Sequence, residues 1–302
     1  MKIKKPNLFI VGAAKSGTTS LYRYISKHPE IFFCNLKEPR YFSSKYKKFP
    51  HNGLGDYVAD NFTIKEESKY LDLFKSVNGK KIIGEASVDY LYYYNTAYDI
   101  KKFSPNAKII VILRNPIDRA FSAYVHLKGA GRENLPFEEA LKQEKNRMSH
   151  NYEFIWFYKG VGKYYQQLKT YLEVFGEENV LIILFDELNK DVKSVIKKMM
   201  FFLNIDPGII IDDHIKYNFS GIPRNKIIDL ILKNRKLQHM SKKVFPAQIV
   251  RRIGYKIAEK NLKKPIIAEK TRFELIKYFT EDIIMLQNLV SRDLSMWLNQ
   301  GE

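Results

Sequence analysis

The stretch NLFIVGAAKSGTTSLYRYI, residues 7–25, predicts a strand, a turn rich in small residues and the start of a helix. The usual phosphate-binding loop reads G-x-x-x-x-G-K-S/T, so with Gly12 and Gly17 as its glycines the lysine would follow Gly17. Here Thr18 holds that position and the lysine is Lys15. Because backbone N–H groups and a helix N-terminus converge on negative charge, the turn still predicts an anion site. A Gly-Thr-Thr sequence can also serve only to cap a helix, but a lysine inside an apolar turn favours the anion site over this structural alternative.

The composition predicts one folded domain over residues 1–302. A hydrophobic content of 45% and an aromatic content of 14% argue against disorder. Cys34 is the single cysteine, which excludes an intramolecular disulfide and a structural cysteine-type zinc site. The apolar start is too short for a secretory signal, and no run approaches the ~20 apolar residues that span a bilayer. We therefore expect a soluble cytoplasmic protein.

The net charge of +18 is concentrated in residues 224–264, which carry 13 Lys or Arg against two acidic residues. Such a segment favours an anionic partner, whether a nucleotide, nucleic acid, an acidic glycan or a membrane surface. A solvated, lysine-rich surface is an equally good explanation. This charge is the only feature of the sequence that favours nucleic-acid binding, because no zinc finger, RNA-recognition or basic-zipper motif is present.

Apolar strands alternate with amphipathic helical patterns along the chain. Strands are predicted at residues 8–11, 31–33, 81–84, 108–113 and 180–185, and helices at 18–27, 66–75, 117–128, 136–148, 161–175, 188–203 and 268–297. This order predicts a three-layer α/β fold with a mostly parallel sheet flanked by helices. Ligands bind beyond the carboxyl ends of such strands. The turn at 12–17, LKEPRYF at 36–42 and LRNPIDRAFSAY at 113–124 all follow strands, which predicts one shared pocket.

Two motifs in this order resemble those of a known family. GAAKSGTTSLY, residues 12–22, is similar to the 5′-phosphosulfate loop of sulfotransferases that use 3′-phosphoadenosine 5′-phosphosulfate (PAPS), and VILRNPIDRAFSAYVH, residues 111–126, is similar to their 3′-phosphate motif. The resemblance continues through KEPRYF at 37–42, LPFEEAL at 135–141, residues 162–188 and RDLSMWL at 292–298. It implies a P-loop-NTPase-like fold and transfer of a sulfuryl group from PAPS to an acceptor hydroxyl.

The resemblance assigns roles to the strand-end residues. Sulfuryl transfer, like phosphoryl transfer, needs positioning and stabilisation of charge on the departing oxygen, which a lysine can supply without magnesium. Lys15 is the predicted catalytic cation, and the 5′-phosphosulfate would also contact Ser16, Gly17, Thr18 and Thr19. Arg114 and Ser122 would bind the 3′-phosphate, with Arg224 in a late basic loop closing on it. The alternative for Arg114 is an ion pair with Asp118, with Ser122 only packing.

Glu38, in Lys37-Glu38-Pro39, is the predicted general base, with a pKa raised by partial burial. The alternative is a purely structural ion pair with Lys37 or Arg40. On the acceptor side we expect substrate contacts from Lys37, Arg40, Glu85, Tyr90 and His126, although a lone helical histidine is more often structural. Glycan 3-O-sulfotransferases have Lys-Glu-Pro-His and Glu-Lys where this chain has Arg40 and Ala86, so their acceptor specificity does not carry over.

The sequence thus predicts a PAPS-dependent, metal-independent sulfotransferase whose acceptor is a carbohydrate. A small alcohol, phenol or natural product is the alternative acceptor. A P-loop kinase or NTPase and a non-catalytic polyanion-binding protein are the alternatives from other classes. The sequence leaves oligomeric state open.

Overall fold

The protein is described by a computed structural model that covers residues 4–208, 221–225, 228, 254, 257, 260–263 and 265–299. Most of the basic segment 224–264 therefore lies outside the described residues. Of the helices within these ranges, none has both the length and the apolar character of a bilayer span.

A five-stranded parallel sheet forms the centre of the fold, in the order β2-β3-β1-β4-β5. The register pairs Leu8 with Gly84 on one side and with Lys108 on the other. The strands are β1 (Leu8–Gly12), β2 (Ile31–Phe33), β3 (Ile82–Ala86), β4 (Lys108–Leu113) and β5 (Val180–Leu184). The α/β class and the parallel sheet predicted from the sequence are confirmed.

Helices cover both faces of this sheet. They are α1 (Thr18–Ile25), α2 (Tyr41–Ser44), α3 (Tyr57–Phe62), α4 (Glu67–Asp72), α5 (Thr96–Phe103), α6 (Pro116–Gly129), α7 (Phe137–Lys142), α8 (Glu144–Ser149), α9 (Tyr164–Phe175), α10 (Phe185–Lys190), α11 (Val192–Phe202) and α12 (Glu269–Val290). A short antiparallel pair, β6 (Ile222–Pro223) and β7 (Leu262–Lys263), packs through β6 against α6.

The side chains of β1 contribute to two hydrophobic cores, because successive side chains of a strand point to opposite faces of the sheet. Phe9 and Val11 join a large core beneath α5, α6, α9 and α12. Leu8 and Ile10 join a smaller one beneath α1 and α11. The sheet is thereby buried on both faces, which fixes its carboxyl edge as the place where polar loops reach the surface.

Several predicted helices are shorter or divided. The helix expected at 136–148 is two, α7 and α8, and the one expected at 188–203 is divided at Asp191, whose carboxylate accepts from Ser194 N at 3.0 Å and so starts α11. The last helix ends at Val290 because Ser291 has a φ of +50°. The short helices α2 and α3 and the eight-residue α5 were not predicted.

Candidate active site

The loop between β1 and α1 brings together the residues predicted to bind the 5′-phosphosulfate. Gly17 caps α1 with a φ of +88°, and Lys15 has a φ of +70°, a conformation uncommon for a residue with a side chain. Ser16 is fully buried, and its Oγ has no hydrogen-bond partner among the described residues. Thr18 and Thr19 begin α1, so their backbone N–H groups lie at its N-terminus. The loop therefore has the form of an anion site.

Arg114, at the end of β4, joins this loop. Its Nη1 donates to the carbonyl oxygen of Lys15 at 3.3 Å, and its guanidinium lies 4.7 Å from the centroid of the Phe185 ring. The ion pair with Asp118 that the sequence left open is not formed; Asp118 accepts from Arg272 Nη2 at 2.7 Å. Burial, and after it the charge of Arg114, lowers the pKa of Lys15 from 10.5 to about 8. Two cations therefore destabilise each other at this strand end.

A third cation, Arg119, lies near them and was missed by the sequence analysis. Arg119 is fully buried on α6; its Nη2 donates to the carbonyl of Tyr158, whereas Nε and Nη1 have no partner within the described ranges. Its charge also lowers the pKa of Lys15. The buried hydroxyl of Tyr164 lies beside Ser16 and Arg119, close enough for both to act on its pKa, but makes no hydrogen bond of good geometry with described residues. An arginine within an otherwise small and apolar stretch, RAFSA, was the available signal.

The loop that follows β2 carries Glu38 to the same edge of the sheet. Two hydrogen bonds donated by backbone N–H groups hold it at the end of β3, from Glu38 N to Ala86 O at 2.9 Å and from Arg40 N to the side-chain Oγ of Ser87 at 3.0 Å. Glu38 and Arg40 both have positive φ, +63° and +55°. Non-glycine residues with a left-handed backbone conformation are concentrated at functional sites, where the surrounding structure stabilises the strained conformation.

The Glu38 carboxylate is held between two cations. Oε1 accepts from Lys37 Nζ at 2.8 Å, and Oε2 accepts from Arg40 Nη2 at 2.6 Å. Burial would raise the pKa of Glu38, but the charges of Lys37 and Arg40 outweigh it and lower that pKa from 4.5 to about 2. The raised pKa expected from the sequence is therefore wrong, and both ion pairs proposed as the structural alternative are present. Glu38 also acts on the pKa of Lys15, so this loop faces the cation cluster.

Glu85 and Tyr90 lie behind this loop, in the interior. Both are fully buried, and Glu85 Oε2 accepts from the hydroxyls of Tyr70 at 2.9 Å and Tyr90 at 3.0 Å, while Oε1 accepts from Ser87 Oγ at 2.6 Å. Burial raises the pKa of Glu85 to about 7 despite these bonds. The expectation that Glu85 and Tyr90 line the acceptor cleft is not met. They instead support the Glu38 loop through Ser87.

The remaining predicted residues lie along α6. Ser122 is buried on this helix, and no hydrogen bond between described residues joins it to Arg114. His126 is exposed one turn further on. Arg224 is exposed next to β6, its backbone N donating to Asn261 O at 2.6 Å, and β6 packs against α6. Arg224 thus lies in a segment that contacts the helix of the predicted 3′-phosphate motif.

The site fits an anionic, phosphate-bearing ligand. Within the described part of the chain, none of Lys15, Arg114 and Arg119 forms an ion pair, and their charges oppose one another. Buried cations and the unpartnered Ser16 Oγ are each costly without a partner, and an anion in the loop would satisfy them together. No group of three or more His, Cys, Asp or Glu side chains in the described ranges could hold a metal ion.

Fold and site together define a P-loop-like α/β protein whose strand-end loop suits an anionic, phosphate-bearing ligand and lacks the usual Walker lysine. The family model described as "Sulfotransferase domain" matches residues 5–285. A solved sulfotransferase from Alicyclobacillus acidocaldarius is 36% identical, with a TM-score of 0.78 over 98% of this chain and 100% of that one. The chain belongs to the sulfotransferase domain family, and the sulfotransferase class predicted from the sequence is confirmed. This membership decides against the P-loop kinase alternative.

Curated relatives are also sulfotransferases by name. Mouse carbohydrate sulfotransferase 15 is 29% identical over 252 residues, which cover 67% of this chain and 44% of the relative. Mouse heparan sulfate glucosamine 3-O-sulfotransferase 3B1 is 26% identical over 219 residues, covering 72% of this chain and 51% of the relative. The chain therefore spans about half the length of the curated relatives that it matches.

Proposed function

We propose that the protein transfers the sulfuryl group of PAPS to a hydroxyl of a carbohydrate acceptor. The observation that carries this proposal is the cluster of buried cations at the strand ends, which faces a carboxylate, Glu38, held on the neighbouring loop. The two relatives named for carbohydrate and heparan sulfate substrates favour a glycan over a small alcohol or phenol. An acidic glycan would also suit the net charge of +18.

The residues of the anion loop would hold the nucleotide. Lys15, the buried Ser16 hydroxyl and the backbone N–H groups of residues 16–19 would contact the 5′-phosphosulfate. Arg114 and Ser122 would bind the 3′-phosphate, with Arg224 approaching from β6. PAPS supplies the sulfuryl group, and adenosine 3′,5′-bisphosphate is the leaving product. Lys15 would stabilise the negative charge that grows on the departing phosphate oxygen.

Glu38 would orient the acceptor hydroxyl and take its proton late in the reaction. A pKa of about 2 makes Glu38 a poor base for a free alcohol. However, a loose, in-line transfer needs little proton removal before the new S–O bond forms, and the oxygen becomes strongly acidic once that bond is made. A weak but fully ionised base is then sufficient. Lys37 and Arg40 would keep its carboxylate pointed at the cleft.

On the acceptor side, Lys37 and Arg40 are proposed to meet the substrate directly, whereas Glu85 and Tyr90 are proposed to act only by supporting the Glu38 loop. The substrate contact of His126 stays a prediction. A single domain over residues 1–302 and a cytoplasmic location also stay predictions.

The test compares wild type with Glu38→Gln. Each protein is incubated with 35S-labelled PAPS, with and without EDTA, and a panel of heparan sulfate, chondroitin, phenols and simple alcohols. We expect EDTA-insensitive transfer to a glycan by wild type, and a loss of roughly 10²–10⁴-fold in turnover by the variant. Binding of adenosine 3′,5′-bisphosphate should be retained. Normal turnover by the variant would remove Glu38 from the mechanism, and failure of wild type to bind the bisphosphate would refute the proposed function.

A further inference from the structure

A tyrosine-lined pocket lies between the segment that precedes α5 and the start of α9. Its cavity of about 390 Å³ falls within the ~300–1,000 Å³ typical of ligand pockets. The lining residues are Tyr46, Tyr92, Tyr93, Tyr94, Asn95, Gly160, Lys163, Gln166 and Gln167. We call this set the tyrosine pocket.

Two lining residues of the tyrosine pocket, Tyr93 and Lys163, connect it to the candidate active site. Tyr93 lies close enough to Arg40 for the charge of that arginine to act on its pKa, and Arg40 holds the Glu38 carboxylate. Lys163 immediately precedes Tyr164, whose hydroxyl lies beside Ser16 in the nucleotide loop. The tyrosine pocket therefore lies near Arg40, the partner of the Glu38 carboxylate, and at the start of α9, where Tyr164 adjoins the anion loop.

The aromatic rings are held in place from behind. Tyr92 packs against Phe154 and Phe157, with ring centroids 5.9 and 6.0 Å apart, and meets Tyr93 at 5.0 Å. Tyr46 is fixed by its hydroxyl, which donates to Asp99 Oδ2 at 2.7 Å. Rigid phenol rings present apolar faces with polar edges, which suits a ring that has both apolar and hydroxyl-bearing surfaces.

The polar groups of the pocket are incompletely satisfied. Gln167 is 4% exposed; its Nε2 donates to Gly160 O at 3.3 Å, but its Oε1 has no partner in the described part of the chain. A buried acceptor without a donor costs ~1–3 kcal/mol, and a ligand hydroxyl would remove that cost. Lys163 forms no ion pair within the described ranges, and its Nζ lies 4.9 Å from the centroid of the Tyr278 ring. Its positive charge, which also opposes the rise that burial causes in the pKa of Asp282, would favour a ligand that carries a carboxylate or sulfate.

From these observations we infer that the tyrosine pocket binds an acidic sugar ring of the acceptor, one that neighbours the sugar being sulfated. The four tyrosines would stack on the ring, the amides of Gln166 and Gln167 would meet its hydroxyls, and Lys163 would meet its acidic group. This inference rests on the proposed function, and it specifies an oligomeric acidic glycan as the substrate class.

The test is isothermal titration of heparan sulfate and chondroitin sulfate hexasaccharides into wild type, Tyr92→Ala, Lys163→Ala and Lys169→Ala. Lys169→Ala is the matched control, because Lys169 lies on α9, the helix that Lys163 immediately precedes, and outside the pocket. We expect at least one hexasaccharide to bind wild type, with Kd raised about five- to tenfold by each pocket variant and unchanged by the control. Lys163→Ala removes an exposed side chain and keeps the test valid if Tyr92→Ala fails to fold.

Titrations with and without adenosine 3′,5′-bisphosphate separate this inference from the proposed function. Loss of bisphosphate binding by wild type would refute the function, while glycan binding is still read in the titration without nucleotide. Wild-type affinity in Lys163→Ala and in folded Tyr92→Ala would overturn the inference, as would failure of both hexasaccharides to bind wild type. In either of those cases, PAPS turnover on another acceptor would leave the sulfotransferase function intact.

Discussion

The lowered pKa of Lys15 should make nucleotide binding depend on pH. Burial and the Arg114 charge lower this pKa to about 8, and an anion in the loop favours the charged amine, so the pKa rises when the nucleotide binds. Free protein loses the Lys15 proton as the pH passes 8, whereas bound protein keeps it. Affinity is therefore greatest below pH 8 and falls above it. If binding restores the ordinary pKa of 10.5, Kd rises roughly 25- to 30-fold between pH 7 and 9.5.

Isothermal titration of adenosine 3′,5′-bisphosphate at constant ionic strength measures this effect. Titrations at pH 7, 8, 9 and 9.5 give the Kd profile, and a second buffer of different ionisation enthalpy at pH 8.5 should report uptake of about 0.7 proton on binding. Lys15→Arg keeps the charge but does not titrate in this range, so its profile should be flat. Lys169→Arg, on the exposed surface of α9, should behave as wild type.

Two results would refute this reasoning. The first is a wild-type Kd that stays constant within about threefold from pH 7 to 9.5, which would mean that Lys15 does not change protonation on binding. The second is a Lys15→Arg variant with the same loss of affinity as wild type, which would assign the titration to another group.

Two further predictions concern stability. The pKa of Glu85 is raised in the folded protein from 4.5 to about 7, so the folded state binds more protons between those values and the free energy of unfolding falls as pH rises through this window. Glu85→Gln should flatten the dependence of Tm on pH between 5 and 7.5, and an unchanged slope would contradict the assignment. Gly17→Ala adds a Cβ 3.0 Å from the Phe185 ring at a φ of +88°, whereas Gly79→Ala, at +63°, meets no atom within 4 Å. Urea unfolding should show a loss of roughly 1–3 kcal/mol for Gly17→Ala and a smaller one for Gly79→Ala; equal losses would show that the contact with Phe185 is unimportant.

The sheet was predictable because each of its strands is a short apolar run followed by a turn. Leu8 to Val11 are all buried, two on each face, and this pattern needs no knowledge of the partner strands. Helix ends were less predictable, since they depend on single residues such as Asp191 and Ser291. Helix α5 was not predicted, because the aromatic residues that precede it were interpreted as the lining of an acceptor cleft.

The position of the candidate site was predictable, but its electrostatics were not. Lys15, Arg114 and Glu38 follow three strands whose ends a parallel sheet must bring to one edge. The pKa of Glu38 depends instead on the left-handed backbone conformation of Glu38 and Arg40. With this conformation Lys37 and Arg40 both contact the Glu38 carboxylate. Arg119 was missed since an arginine on a helix is usually exposed, and only packing shows that this one is buried.

The two ion pairs of the Glu38 carboxylate, with Lys37 and Arg40, also have a consequence for repeated turnover. At pH 7 a carboxyl group with a pKa of about 2 is protonated in only about one molecule in 10⁵. In the role proposed for it, Glu38 would release its acquired proton to water as soon as the cleft opens. The carboxylate would then be ready for the next acceptor without a dedicated proton-return step. Lys37 and Arg40 would thus regenerate the base after each cycle as well as orient it.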